Sequence, residues 1–165
     1  YPIMKKLLSL LLLTILLSST SSYAFAPIEQ LPDQVLLDLD GEPQPFNQWK
    51  GEIVILNFWA TWCPPCRREM PSFIELQEQY GAQGVQFVGV AIDNPKMAQR
   101  YGSDHGINFP TLQGEQSGLE LSMMLGNHRS VLPYTVIFDR SGKVVSRRSG
   151  EIRHKEILAT ITPLL

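Results

Sequence analysis

Cysteine is scarce in this sequence: Cys63 and Cys66 are the only two in 165 residues. A small exported domain held by disulfide staples carries several pairs, and a bridge across two intervening residues closes too short a loop to stabilise a fold much. A pair that contributes little to folding is there to react. Two cysteines are also too few for a zinc site, and His105, His128 and His154 lie far from them with no ligand spacing, so no metal is expected. Positive charge is not in excess either: 14 Lys and Arg stand against 16 Asp and Glu. That excludes the basic footprint of a nucleic-acid binder. There is no glycine-rich phosphate loop and no internal repeat, and no cofactor is expected. No apolar run reaches the roughly 20 residues that span a bilayer. What is present is ordinary for one globular domain, with 44% hydrophobic and 18% charged residues.

The first residues read as a leader. Met4 is taken as the start, with Tyr1 to Ile3 before it. Lys5 and Lys6 form a positive region, Leu7 to Leu17 an apolar run and Ser18 to Ser22 a small polar stretch. This is the tripartite pattern of a secretory signal peptide. Cleavage is expected after Ala24 or Ala26, the first favoured because Pro27 directly follows the second. The expected organisation is a signal peptide over 1–26 and one domain over 27–165, in the periplasm. An uncleaved anchor is the weaker alternative.

Along the mature chain, Val35–Leu39 and Phe46–Trp49 suggest a lead-in with a small hairpin. Ile53 to Trp59 is a near-continuous apolar run, the pattern of a central buried strand. A helix is expected from the cysteines to about Tyr80, ended by Gly81 and Gly84. Val85 to Ile92 reads as a second buried strand, and Pro95 to His105 as a helix capped by Asp93 or Asn94. Ile107 to Leu112 should be extended and Leu119 to Leu125 a short helix. Tyr134 to Phe138 and Lys143 to Arg148 form a hairpin through Asp139-Arg140-Ser141-Gly142, and Glu151 to Leu165 a closing helix. Strands alternating with helices imply an α/β fold with a mostly parallel sheet and an antiparallel edge.

Cys63-Pro64-Pro65-Cys66 falls where a buried strand turns into a helix. Residues i and i+3 share a helical face, within reach of a disulfide. Cys63 lies at the helix start, where the dipole and free amides stabilise a thiolate. Pro64 favours an extended Cys63, and Pro65 suits the first helical position. Cys63 is therefore the expected nucleophile and Cys66 the resolving thiol.

The stretch Asn57-Phe58-Trp59-Ala60-Thr61-Trp62-Cys63-Pro64-Pro65-Cys66-Arg67-Arg68-Glu69-Met70-Pro71 resembles the active-site segment of the TlpA and ResA group of thioredoxin-like proteins. Val88 to Ala91, Leu132 to Thr135, Asp139 to Val145 and Gly150 extend the match over about residues 31–165. The resemblance implies a thioredoxin-like fold with a mixed central sheet flanked by helices, an N-terminal hairpin extension and a central insert. It implies an exported thiol–disulfide oxidoreductase, in most members a reductant and in several a servant of cytochrome c assembly. Its partners would be a disulfide-bearing exported protein and a membrane thiol-electron donor of DsbD or CcdA type; a monomer is expected. Pro133 matches the family's cis-proline beside the cysteine pair, so Leu132 and Pro133, with Trp62, Pro64 and Pro65, are expected to shape substrate docking. Pro71 matches the proline that kinks the first helix.

Two departures bear on tuning. Asn57 stands where thioredoxin has a buried acid, and an amide cannot relay a proton. The glutamate expected after the second strand aligns with about Asn94, leaving Asp93 as the neighbouring acid, though helix capping is its stronger role. Arg67, Arg68 and Glu69 could tune Cys63 or steer partners, but as a charge run they read first as a solvated helix face. A peroxidase would want Pro-x-x-x-Thr-x-x-Cys, and Leu56 and Ala60 hold those places. The remaining alternatives are a disulfide donor of the same fold and a Cu(I) carrier with Met70, Met123 or Met124 assisting the cysteines. Those methionines are more simply core filler.

Overall fold

A computed structural model describes residues 26–165. The leader and the favoured cleavage point lie outside the described residues. The central strand β3 spans Ile53–Trp59, and all seven of its residues are buried. It pairs in parallel with β4 (Val85–Ala91) and antiparallel with β6 (Tyr134–Phe138). With β5 (Thr111–Gln113) and β7 (Val144–Ser149) the sheet order is β5-β4-β3-β6-β7. Parallel pairing on one side of β3 and antiparallel on the other makes the sheet evenly mixed, rather than mostly parallel.

The apolar run of β3 is explained by cover on both faces. Ile53, Ile55 and Trp59 face a core shared with Met70, Phe73 and Leu76 of α1 (Pro64–Tyr80), Ala98 of α2 (Pro95–His105), and Ile157 and Ile161 of α4 (His154–Ile161). Val54, Leu56 and Phe58 face a second core with Leu121 of α3 (Glu115–Met124) and Phe46 and Trp49 of the N-terminal segment. Fully burying one such side chain contributes about 1.5–3 kcal/mol. That segment carries the expected hairpin, β1 (Val35–Leu37) against β2 (Pro43–Pro45). Phe46–Trp49 follows as a single 3₁₀ turn. The N-terminal segment also touches both edges of the main sheet, through Gln30 beside Lys143 and Asp38 beside Leu112.

Helix α1 ends at Tyr80, followed by a 3₁₀ turn and a left-handed Gly84 (φ 83°). Asn94, not Asp93, caps α2, accepting from Lys96 N–H at 3.0 Å. Helix α3 starts at Glu115, four residues before the expected Leu119. Gly118 lies inside it and allows close approach: a Cβ there would lie 2.7 Å from Val90. The closing helix starts at His154 rather than Glu151, where Glu156 closes the first turn by accepting from the Arg153 N–H at 2.9 Å.

Candidate active site

Beyond β3 the chain passes Ala60, Thr61 and Trp62 and reaches Cys63, the N-cap of α1, in extended conformation (φ −94°, ψ 107°). Pro64 and Pro65 occupy the first two helical positions, so the helix begins one residue before the Pro65 start expected from sequence. Cys63 and Cys66 are joined as a disulfide, with Cα atoms 5.3 Å apart. Cys63 retains 4% exposure and Cys66 none, so the first cysteine is the more accessible residue. Pro64 and Pro65 carry no N–H, and the amide that reaches Cys63 Sγ is that of Cys66, at 3.4 Å.

Trp62 is 64% exposed beside this sulfur. Trp59, by contrast, is fully buried in the core and stacks obliquely on Tyr101. The Leu132–Pro133 bond is cis. Tyr134 pairs with Phe58, which carries Pro133 to the end of β3, and Leu132 packs against the cluster holding both cysteines. Gly150 N–H donates to the Pro133 carbonyl at 2.8 Å.

The acids are arranged otherwise than the sequence suggests. Arg67 and Arg68 are solvated, Arg68 in an ion pair with Glu151. Glu69, expected with them on a solvated face, is 2% exposed. One helical turn beyond Cys66 and on its face of α1, its carboxylate accepts from the Asn57 amide at 2.8 Å and from Ile152 N–H at 3.0 Å. Desolvation pushes its carboxyl up to about 7, against the pull of those two hydrogen bonds and helped by nearby Glu151. The Asn57 amide also donates to Thr135 Oγ1 at 3.0 Å. Asn57 therefore holds a buried acid in place of being one. The missed signal was periodicity: 66, 69, 73 and 76 trace one buried stripe of α1.

Asp93 is neither a buried acid nor a cap. Its Oδ2 accepts from Thr61 N–H and the Thr61 hydroxyl, and its Oδ1 from Asn94 N–H. It ties the loop carrying Trp62 and Cys63 to the end of β4. Of the methionines, Met70 is core as expected, but Met123 is 41% exposed. Met123 and Met124 close α3, whose Leu121 packs on the face of the sheet away from the cysteines. They do not join the cysteines in one site.

Fold and cysteine pair together define a thioredoxin-like thiol–disulfide oxidoreductase. The chain belongs to the AhpC/TSA family, whose model matches residues 27–147. Leu56 and Ala60, both buried, stand where a peroxidase of this superfamily needs Pro and Thr. The thiol-disulfide oxidoreductase ResA of Geobacillus thermodenitrificans is 34% identical over 139 residues, 84% of this chain and 78% of that protein. ResA of Halalkalibacterium halodurans is 36% identical over 123 residues, 74% of this chain and 68% of that one. Among solved structures, a thiol:disulfide interchange protein of Chlorobium tepidum TLS superposes with TM-score 0.72 at 26% identity, covering 84% and 97% of the two chains. A secreted thiol-disulfide isomerase of Corynebacterium glutamicum gives 0.75 at 27%, covering 82% and 84%. Among the described residues no helix is long and apolar enough to cross a membrane.

Proposed function

We propose that this protein is a periplasmic reductant of protein disulfides, in which Cys63 attacks, Cys66 resolves and Glu69 manages the proton. The observation that carries the direction is the pair of prolines at the helix start. A strongly oxidising pair works by stabilising its reduced form, chiefly as a thiolate held by helix amides. Here Pro64 and Pro65 withdraw two of those donors and leave the Cys66 amide. A less stabilised dithiol gives up its electrons more readily.

In the reduced protein the Cys63 thiolate attacks one sulfur of a substrate disulfide, forming a mixed disulfide and releasing the other substrate sulfur as a thiolate. Cys66 passes its proton to the Glu69 carboxylate and attacks Cys63 Sγ. The internal disulfide forms, the second substrate thiolate leaves, and both substrate thiolates take up protons. Two electrons have moved to the substrate. A thiol donor at the membrane, of DsbD or CcdA type, returns them by the reverse exchange. Leu132 and Pro133 with Trp62 offer the docking edge, along which an extended substrate strand can lie. The leader pattern supports export, and the resemblance to the TlpA and ResA group supports a place in cytochrome c maturation and a monomeric state.

Equilibration with glutathione buffers tests the direction. The expected midpoint lies well below that of a dedicated oxidant, and a value near roughly −120 mV would recast the protein as a disulfide donor. The division of labour has its own test. In the reduced protein iodoacetamide should modify Cys63 first, and Cys66→Ser should accumulate mixed disulfides through Cys63 while Cys63→Ser accumulates none. Faster modification of Cys66 would reverse the two roles.

A further inference from the structure

Beside the docking edge lies a cavity of about 290 Å³ lined by Gly126, Asn127, His128, Arg129, Val131 and Ser149. We infer that this cavity is a substrate subsite that takes an acidic side chain close in sequence to the cysteine under attack. The inference rests on the reading of Leu132 and Pro133 as the docking edge.

Three observations carry it. The cavity is continuous with that edge: Val131 leads directly into Leu132 and Pro133, and Ser149 pairs with Tyr134 on the other side. An extended chain laid along 131–133 sends alternate side chains to one side, so a residue about two positions from its cysteine reaches the cavity.

Second, the cavity is held in shape. Asn127 is 2% exposed, and its side chain grips both main-chain groups of Val131, accepting from the N–H at 3.0 Å and donating to the carbonyl at 2.9 Å. Its own N–H donates to the Ser122 carbonyl at 2.9 Å, which fixes it to α3. Ser130 sits in the left-handed region (φ 51°), a conformation this clamp sustains. A loop fixed in this way loses little freedom when a ligand enters.

Third, the charge is one-sided. No carboxylate lines the cavity, and His128 and Arg129 stand exposed at its rim. Among the described residues Arg68, Arg100, Arg147, Arg148 and Arg153 each face a carboxylate, and Arg140 is held by backbone carbonyls. That leaves Arg67, next to Cys66, and Arg129, four residues before Pro133, as the arginines with neither a carboxylate nor a carbonyl partner. In a chain whose net charge is −2, an uncommitted guanidinium group therefore lines the cavity beside the docking edge, that of Arg129. A glutamate or aspartate of the substrate matches it.

The test uses three synthetic peptides of one length, each closed by an internal disulfide, with glutamate, glutamine or lysine two positions from the cysteine. Reduced protein should exchange with the glutamate peptide about threefold to fivefold faster than with the glutamine peptide, the range of one exposed ion pair, and slowest with the lysine peptide. The preference should shrink as salt is raised. Arg129→Glu should invert the order, a result that loss of folding cannot imitate. Equal rates for all three peptides would overturn the subsite while leaving disulfide exchange intact. A uniform slowing in Arg129→Glu with the order unchanged would overturn it too. Were none of the peptides reduced, the exchange reading itself would fall and take the subsite with it.

Discussion

Glu69→Gln should slow exchange at pH 8 by on the order of a hundredfold, the low end for a lost acid–base group, and flatten the dependence of rate on pH near 7. In the wild type burial holds the carboxyl up at about 7, so it changes between proton donor and acceptor near neutral pH. The loss should fall on the step in which Cys66 closes the internal disulfide, leaving the initial attack by Cys63 the less affected. Rapid-mixing kinetics on Glu69→Gln across pH 6 to 9 separates the two steps, and a profile that overlays the wild type would remove Glu69 from the mechanism.

The same group predicts a stability profile of unusual sign for an acid. Its folded pKa of about 7 lies above the 4.5 of an unperturbed glutamate. The native state therefore holds the proton more tightly than the unfolded state between those values, and stability falls as pH rises through that window, then levels off. The drop amounts to about 3 kcal/mol at 1.36 kcal/mol per pH unit. Urea unfolding of the oxidised protein at pH 5, 6, 7 and 8 should show this slope in the wild type. Glu69→Gln should lack most of it, at the expense of one hydrogen bond, since an amide offers only one acceptor where Asn57 and Ile152 both donate.

How the sequence concealed Glu69 is instructive. The cysteine pair, the helix it opens and the buried strand before it were all legible because each rests on local chemistry: proline at the helix start, a continuous apolar run, an i, i+3 spacing. Glu69 follows two arginines, and residue type argued for water when period argued for the core. Only the partners reconcile the two, and one of them, Ile152, is 83 positions away. The start of α3 was hidden for a related reason. Gly118 sits inside the helix so that it can lie against Val90, a contact no local pattern displays. Asp93 was marked as an acid of interest, and its partner could not be guessed, since Thr61 lies 32 residues away across a parallel strand pair.

That tether makes the second large prediction. Asp93→Ala should destabilise the protein by about 2–4 kcal/mol, because a charged acceptor of three hydrogen bonds is removed and hydrogen bonds to charged groups are worth about 1.5–3 kcal/mol each. The bonds do not sum, since Asn94 N–H is exposed and regains water. The Thr61 pair is partly shielded from water and carries most of the effect. Thr61→Val removes the hydroxyl bond alone and should lose about 1.5 kcal/mol, the low end for a bond to a charged group. Asp93→Asn, which can still accept from Thr61, should fall between the two. The consequence for function follows from what the loop carries. Trp62 is 64% exposed and gains little support from packing, so its place beside Cys63 depends on the loop being held. Asp93→Ala should raise KM for a protein disulfide more than it lowers kcat, and should open the 60–62 segment to proteolytic nicking. A double-mutant cycle on Thr61→Val and Asp93→Ala checks the assignment: a coupling of at least about 0.5 kcal/mol is expected, and strict additivity would mean that Asp93 acts on the site by some route other than Thr61.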